Sequence, residues 1–302
     1  MGVVLTSART ARDPGALLDL DAAGRYVLGR RTPHGGYSFY RVPEWNVEEP
    51  SAPDTLAALD SLAILGLDAP EPEETIRWLG GVQDGDGGYP TWTIGWAALR
   101  SLHLLGATPR RSPEEWLRSW AEGSGETDGT RDWRTALVDA LRLAELLRLR
   151  GEGPGPGERK RATELLRAGR DPAWGWARRG AELETTAVAL CLAMIGELPW
   201  QIEAEEARAG ELLSACEDES LGLTISPGAG TTSVGAIWGG LWLAQALGAR
   251  LRHRRAIGVS LVLLQRSDGG LGGRHRAIST LQDTWQGIDA ACLLEELQEE
   301  QP

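Results

Sequence analysis

Glu182 and Glu184 stand two residues apart in Glu182-Leu183-Glu184-Thr185-Thr186-Ala187, at the opening of an apolar stretch. Two carboxyls so placed read in two ways. A like charge nearby and apolar surroundings raise a carboxyl pKa and keep its proton on, which makes a general acid. A helix N-terminus pulls the other way by favouring the anion, so both residues equally suit a first helical turn and nothing more. Asp54 and Asp283 open two further apolar stretches, where an N-cap role and a ligand contact at one rim both fit. Set across a cleft from Glu184, either would give the paired carboxylates of glycoside hydrolysis.

Aromatic side chains are the second chemical resource. The chain holds 13 Trp against one Phe, and Trp92, Trp96, Trp133, Trp238, Trp242 and Trp285 lie in or at the openings of apolar stretches. Their ring faces would stabilise a cation inside a hollow, and their bulk would equally fill a core. Asp60, Asp139 and Asp289 sit among apolar neighbours in mid-stretch. Sliding one apolar stretch onto the next sets Asp60 level with Arg100, so a buried ion pair is expected there, with a cluster of acids lining a cavity as the alternative.

These residues need elements to carry them, and the elements repeat. Gly-rich turns recur at HGGYSF (34–39), QDGDGGY (83–89), DGTRDW (128–133), DPAWGWA (171–177), ESLGLTI (219–225) and QRSDGGLGG (265–273), with a period of about 44 to 52 residues. After each turn comes an Ala/Leu-rich stretch: 54–66, 93–106, 133–147, 184–196, 231–248 and 283–297. Each is apolar on most faces and must be buried on most faces. The stretches before the turns carry one apolar stripe under charge and suit an outer layer. Strand alternation is absent. The pattern predicts an all-α fold with twelve helices alternating inner and outer, an (α/α)6 toroid. Residues 1–302 read as one domain, with the loops near 122–130 and 151–158 as punctuation.

Composition narrows the partners. With 42% hydrophobic and 25% charged residues the balance is that of a globular protein. A net charge of -12 lacks the basic field that nucleic acid requires. No segment approaches the roughly 20 apolar residues of a membrane span. The N-terminus has no apolar core of a signal peptide, which makes a reducing cytoplasm the default location. Cys191, Cys216 and Cys292 are scattered and form no CxxC pair.

IRWLGGVQDGDGGYPTWTIGWAALRSLHLLG and LVLLQRSDGGLGG resemble the prenyltransferase and squalene-cyclase repeat: an outer-helix Gln, a DGG turn, then an inner helix. The match is best around 54–106 and 258–297. The family hosts terpenoid cyclases, protein prenyltransferase β subunits and non-catalytic toroids, so the resemblance implies a fold before it implies a reaction. Class II cyclases open an inner helix with Asp-x-Asp-Asp-Thr-Ala, whose middle Asp protonates an alkene or epoxide. Glu182 to Ala187 is similar, with both acids longer by one methylene. The resemblance makes Glu184 the acid and Glu182 its acidic neighbour, with Asp54, Trp92, Trp96, Trp133, Trp238, Asp283, Trp285 and Gln286 around a cavity for an isoprenoid.

The prenyltransferase alternative needs zinc, held by an Asp and a Cys two apart and by a His. Here Ser233-Val234-Gly235-Ala236 and Gln286 occupy those places, and neither Ala nor Gln is a zinc ligand. Zinc is therefore not expected. Protonation needs no cofactor, and Mg2+ would enter only with a diphosphate substrate. The alternatives are a toroid that binds an isoprenoid, or a protein partner at its opening, without cyclisation, and a transferase-like chain that has lost its zinc ligands.

Overall fold

The computed structural model describes residues 18–42, 47–123, 133–171, 175–176, 182–195 and 202–299, and among them the chain is all-α. The six Ala/Leu-rich stretches form α2 (Ala52–Ile64), α4 (Trp92–Leu104), α6 (Trp133–Leu149), α8 (Leu183–Ile195), α10 (Val234–Leu247) and α12 (Leu281–Glu299). The more charged stretches form α1 (Leu20–Gly29), α3 (Pro72–Val82), α5 (Glu114–Gly123), α7 (Pro156–Ala168), α9 (Ile202–Ala215) and α11 (Arg254–Leu264). Short polar side chains start the inner set: the hydroxyls of Ser51, Thr91 and Ser233 accept the backbone N–H three residues on, which satisfies donors that a helix start leaves unpaired.

Contacts between the even-numbered helices run in a cycle. α2 packs on α4, α4 on α6, α6 on α8, α8 on α10, α10 on α12, and α12 returns to α2. Four of the odd-numbered helices each straddle one seam. α1 touches α12 and α2, α7 touches α6 and α8, α9 touches α8 and α10, and α11 touches α10 and α12. The core lies between the two sets, with Leu137, Leu166, Leu183, Leu212 and Ile257 fully buried in one cluster. Each such side chain contributes roughly 1.5 to 3 kcal/mol.

The turns fix how one repeat meets the next. Gln83 ends α3, donates from Nε2 to the Gly87 and Arg111 carbonyls at 2.8 and 2.9 Å, and accepts the Arg111 N–H at 2.9 Å. Gln265 ends α11 and does the same with Gly269 and Asp19: it donates at 3.0 and 2.8 Å and accepts at 3.0 Å. The second set joins the last repeat to the first. Gly87 and Gly269 adopt positive φ of 94° and 90°, and a Cβ at either would overlap the backbone at Ser112 or Ala22. Glycine is required here both for its conformation and for the close approach.

The sequence pattern did not announce the four two-residue hairpins: Arg41–Val42 with Val47–Glu48, Arg170–Asp171 with Gly175–Trp176, Glu217–Asp218 with Gly222–Leu223, and Leu271–Gly272 with Ser279–Thr280. Two residues are too few to show a period of two. Of the loops read as punctuation, most of 122–130 lies outside the described residues, and the 151–158 loop overlaps the first turn of α7 at Pro156. Among the described residues no helix is long and apolar enough to cross a membrane.

Candidate functional site

The openings of the inner helices carry most of the expected site. At α2, Ser51 is the cap, and its hydroxyl donates back to the Asp54 carboxylate at 2.9 Å while the Phe39 N–H donates at 3.3 Å. At α12, Thr280 caps the Asp283 N–H at 3.0 Å and donates to the Asp283 carboxylate at 2.7 Å. Asp54 and Asp283 are thus third-position acids held by the cap hydroxyls, and Ser51 and Thr280 are the caps themselves, which corrects the sequence reading. Burial raises the pKa of both acids, with these hydrogen bonds acting in the opposite direction.

Glu184 lies in the first turn of α8. It is solvent-exposed as a residue, yet burial still raises the pKa of its carboxyl, with Glu182 and Asp283 adding to the rise. Gln286 of α12 donates from Nε2 to Glu184 Oε1 at 3.1 Å, which favours the anion and lowers the pKa again. Two glycines of α10 make room: a Cβ at Gly235 would overlap the Glu184 carboxyl, and one at Gly239 would lie 2.7 Å from Glu184 Cα. Neither glycine was singled out from sequence for this purpose. Glu182 is turned aside, paired with Arg134 of α6 at 2.9 Å.

The tryptophans divide into two groups. Trp96, Trp238 and Trp285 join the polar residues of the inner helices. The Trp238 and Trp285 ring centroids are 5.8 Å apart, Trp238 Nε1 donates to Asp289 at 2.8 Å, and Trp96 Nε1 donates to Glu145 at 3.0 Å. The Arg142 guanidinium lies over the Trp96 ring, 4.4 Å from its centroid. Trp92 and Trp133 face outward instead. Trp92 stacks with Trp116 and Trp120 of α5, at 5.3 and 5.0 Å. Trp133 donates to the Leu165 carbonyl of α7 at 2.7 Å, and a Cβ at Gly169 would overlap its ring. Trp242 is buried in the core. Position in an inner helix does not fix direction, because each such helix also has a side facing the outer layer.

Farther along the inner helices lies a buried charge layer. Arg100 of α4 meets Asp60 of α2 and Glu145 of α6, both at 3.4 Å, as the register of the first two inner helices implies for Asp60. Arg142 meets Asp139 at 3.3 Å. Desolvation lifts Asp60 to about 7, Arg100 opposes the rise, and the negative charges of Glu145 and Asp289 add to it. Sequence reasoning missed Glu145 and Arg142, which lie one turn apart on the same helix and look like an ordinary solvated i, i+3 pair.

Chemically, the arrangement offers a solvent-exposed carboxyl with a raised pKa, a side-chain amide holding it, and two mutually tilted indoles on α10 and α12. Among the described residues no three of His, Cys, Asp and Glu converge as a metal site. At the positions where a transferase's zinc ligands would fall, Ser233 caps α10 and Gln286 holds Glu184.

Comparison with known proteins adds a fold and no activity. No family model and no curated protein matches the chain. A crystal structure of a protein from Actinoplanes is similar, with a TM-score of 0.52 at 17% identity over 91% of this chain and 97% of that one. At that identity the likeness extends to the fold alone.

Proposed function

We propose that the cyclic packing of inner helices is an (α/α)6 toroid of the prenyltransferase and squalene-cyclase kind, and that its mouth takes an isoprenoid. The reaction proposed is class II-type cyclisation. Glu184 gives its proton to one carbon of a double bond, the bond's electron pair forms the new C–H bond, and the positive charge left on the other carbon is attacked by the next double bond. The cation ends by losing a proton. Trp238 and Trp285 would face the developing charge, and Gln286 would stabilise Glu184 as it becomes an anion. Glu182, held by Arg134, is a neighbour that raises the Glu184 pKa rather than a second acid.

The observation that carries this reading is the state of Glu184: open to solvent, packed against two glycines of α10 that admit its carboxyl and backbone, and with a pKa raised by its surroundings. A carbon-protonating acid must be neutral before it acts and reachable by its substrate. No metal is needed for protonation, and Mg2+ would enter only to bridge a diphosphate.

The test is to incubate the purified protein with farnesyl diphosphate, geranylgeranyl diphosphate, squalene and oxidosqualene, and to analyse phosphatase-treated extracts by mass spectrometry. A cyclic product lost in Glu184→Gln supports the proposal. Its rate should fall as pH rises through the Glu184 pKa, because the ionised acid has no proton to give.

A second reading is binding of an isoprenoid, or of a protein partner at the opening, without cyclisation. The Gln286 hydrogen bond favours it, since it stabilises the ionised form of Glu184 in the resting state. No conversion, with a raised melting temperature in the presence of one of these compounds, would select it.

A further inference from the structure

The charge of this chain is unevenly distributed. Between residues 252 and 276 there are six arginines (Arg252, Arg254, Arg255, Arg266, Arg274 and Arg276) and one carboxylate, Asp268, in a chain whose net charge is -12. The same stretch exposes aliphatic surface. Val259, Val262 and Leu263 lie three and four residues apart on the outward side of α11, with Leu263 57% exposed, and Ile278 beyond the turn is 71% exposed. An outer helix is expected to turn charge, not Val and Leu, toward water.

Hydrogen bonds make these pieces one face. Arg266, just after α11, donates from Nε to the Ala277 carbonyl at 3.0 Å and from Nη2 to the Arg274 carbonyl at 2.8 Å. The loop carrying Arg274, His275, Arg276 and Ile278 is thereby held against the C-terminal end of α11. At the other end of the helix a shallow groove is lined by Glu219, Ser220, Arg252, His253, Arg255 and Val259. Arg252 is committed to Glu217 at 3.1 Å. Arg255, Arg274 and Arg276 are exposed and form no ion pair among the described residues.

We infer that this face docks the protein peripherally on an anionic membrane surface, with Val259, Val262, Leu263 and Ile278 entering the headgroup region and Arg255, Arg274 and Arg276 meeting lipid phosphates. Apolar side chains ringed by arginine are the combination that binds such an interface, each part being too weak alone. Nucleic acid fits less well because it offers nothing to the aliphatic residues. The exposed apolar residues are aliphatic and include no Trp or Tyr, which dominate protein hot spots. The inference does not depend on cyclase chemistry.

The test uses the full chain and vesicle sedimentation, comparing phosphatidylcholine vesicles with and without phosphatidylglycerol at low and high salt. Expected is salt-sensitive binding to the anionic vesicles only. Each exposed arginine near the surface is worth about fivefold, so the triple Arg255→Gln, Arg274→Gln, Arg276→Gln variant should bind about a hundredfold more weakly. Leu263→Glu with Ile278→Glu should abolish binding while leaving the melting temperature unchanged, since both side chains are exposed. Absence of binding to anionic vesicles at low salt, or wild-type binding by the Glu variant, would overturn the inference. So would a salt-resistant dimer in vesicle-free solution that Leu263→Glu converts to monomer, which would make the face an interface between copies.

Discussion

Replacing Asp60 by Asn should flatten the dependence of stability on pH between about pH 4 and pH 7. Asp60 is buried, shares Arg100 with Glu145, and feels Asp289, so its carboxyl rises from 3.8 to about 7. The folded pKa is above the unfolded one, so the folded state holds the proton more tightly. Stability is therefore greatest below pH 4 as far as this group is concerned, and declines as pH rises through about 7. Each tenfold in proton affinity is worth about 1.4 kcal/mol, which makes the loss about 4 kcal/mol. With an unfolding entropy of about 2.1 cal/mol/K per residue over 302 residues, that corresponds to about 6 °C in melting temperature.

Asn has no proton to lose, and Arg100 keeps Glu145 as its partner. Thermal melts followed by circular dichroism at half-unit steps would show the wild type falling by about 6 °C relative to Asp60→Asn across the window. Asp54, Asp283 and Glu184 also have raised pKa values, but both proteins contain them and the comparison cancels their effect. Parallel curves for the two proteins would refute the account of Asp60 and Glu145 competing for the Arg100 guanidinium.

Gln265→Ala removes two hydrogen bonds between the last repeat and the first, and a third within its own turn, and should cost about 1 to 2 kcal/mol because the groups released can reach water. Gln83→Ala should cost the same, but hydrogen exchange would separate them, with faster exchange near Asp19 in the first variant and near Arg111 in the second. Gly239→Ala sets a methyl against the backbone of Glu184, 3.0 Å from its N. It should lower the urea midpoint by an amount equivalent to about 1 to 3 kcal/mol and weaken any ligand-induced stabilisation, because α8 must move away from α10.

Periodicity located every helix, because alternating stretches with one apolar stripe and with apolar residues all round leave few other arrangements. The Gln and DGG turns were equally legible, as was the Asp60 to Arg100 pairing, since equal offsets from equivalent glycines give a register. Direction was not legible. Trp92 and Trp96 are one turn apart, yet Trp92 stacks on α5 and Trp96 bonds Glu145, because four residues in a helix turn through more than a full circle and tilt decides the rest. Glu145 and Gly239 escaped notice for a related reason: their roles depend on what the facing helix presents. The roles of Asp54 and Asp283 shifted from the N-cap to the third helical position, a distinction that rests on which backbone N–H the Ser or Thr hydroxyl reaches.

The hydrogen bonds from Gln265 to Asp19 span 246 residues of sequence. A linear stack of repeats frays from its ends, where each outermost unit has a single neighbour. Joining the first and last units removes those ends, and no unit can leave without breaking two interfaces at once. The same join is the contact that chain entropy opposes most while the rest is unformed. It follows that the seam closes late in folding, and that once closed it converts six local equilibria into one, so that the protein should melt as a whole rather than repeat by repeat.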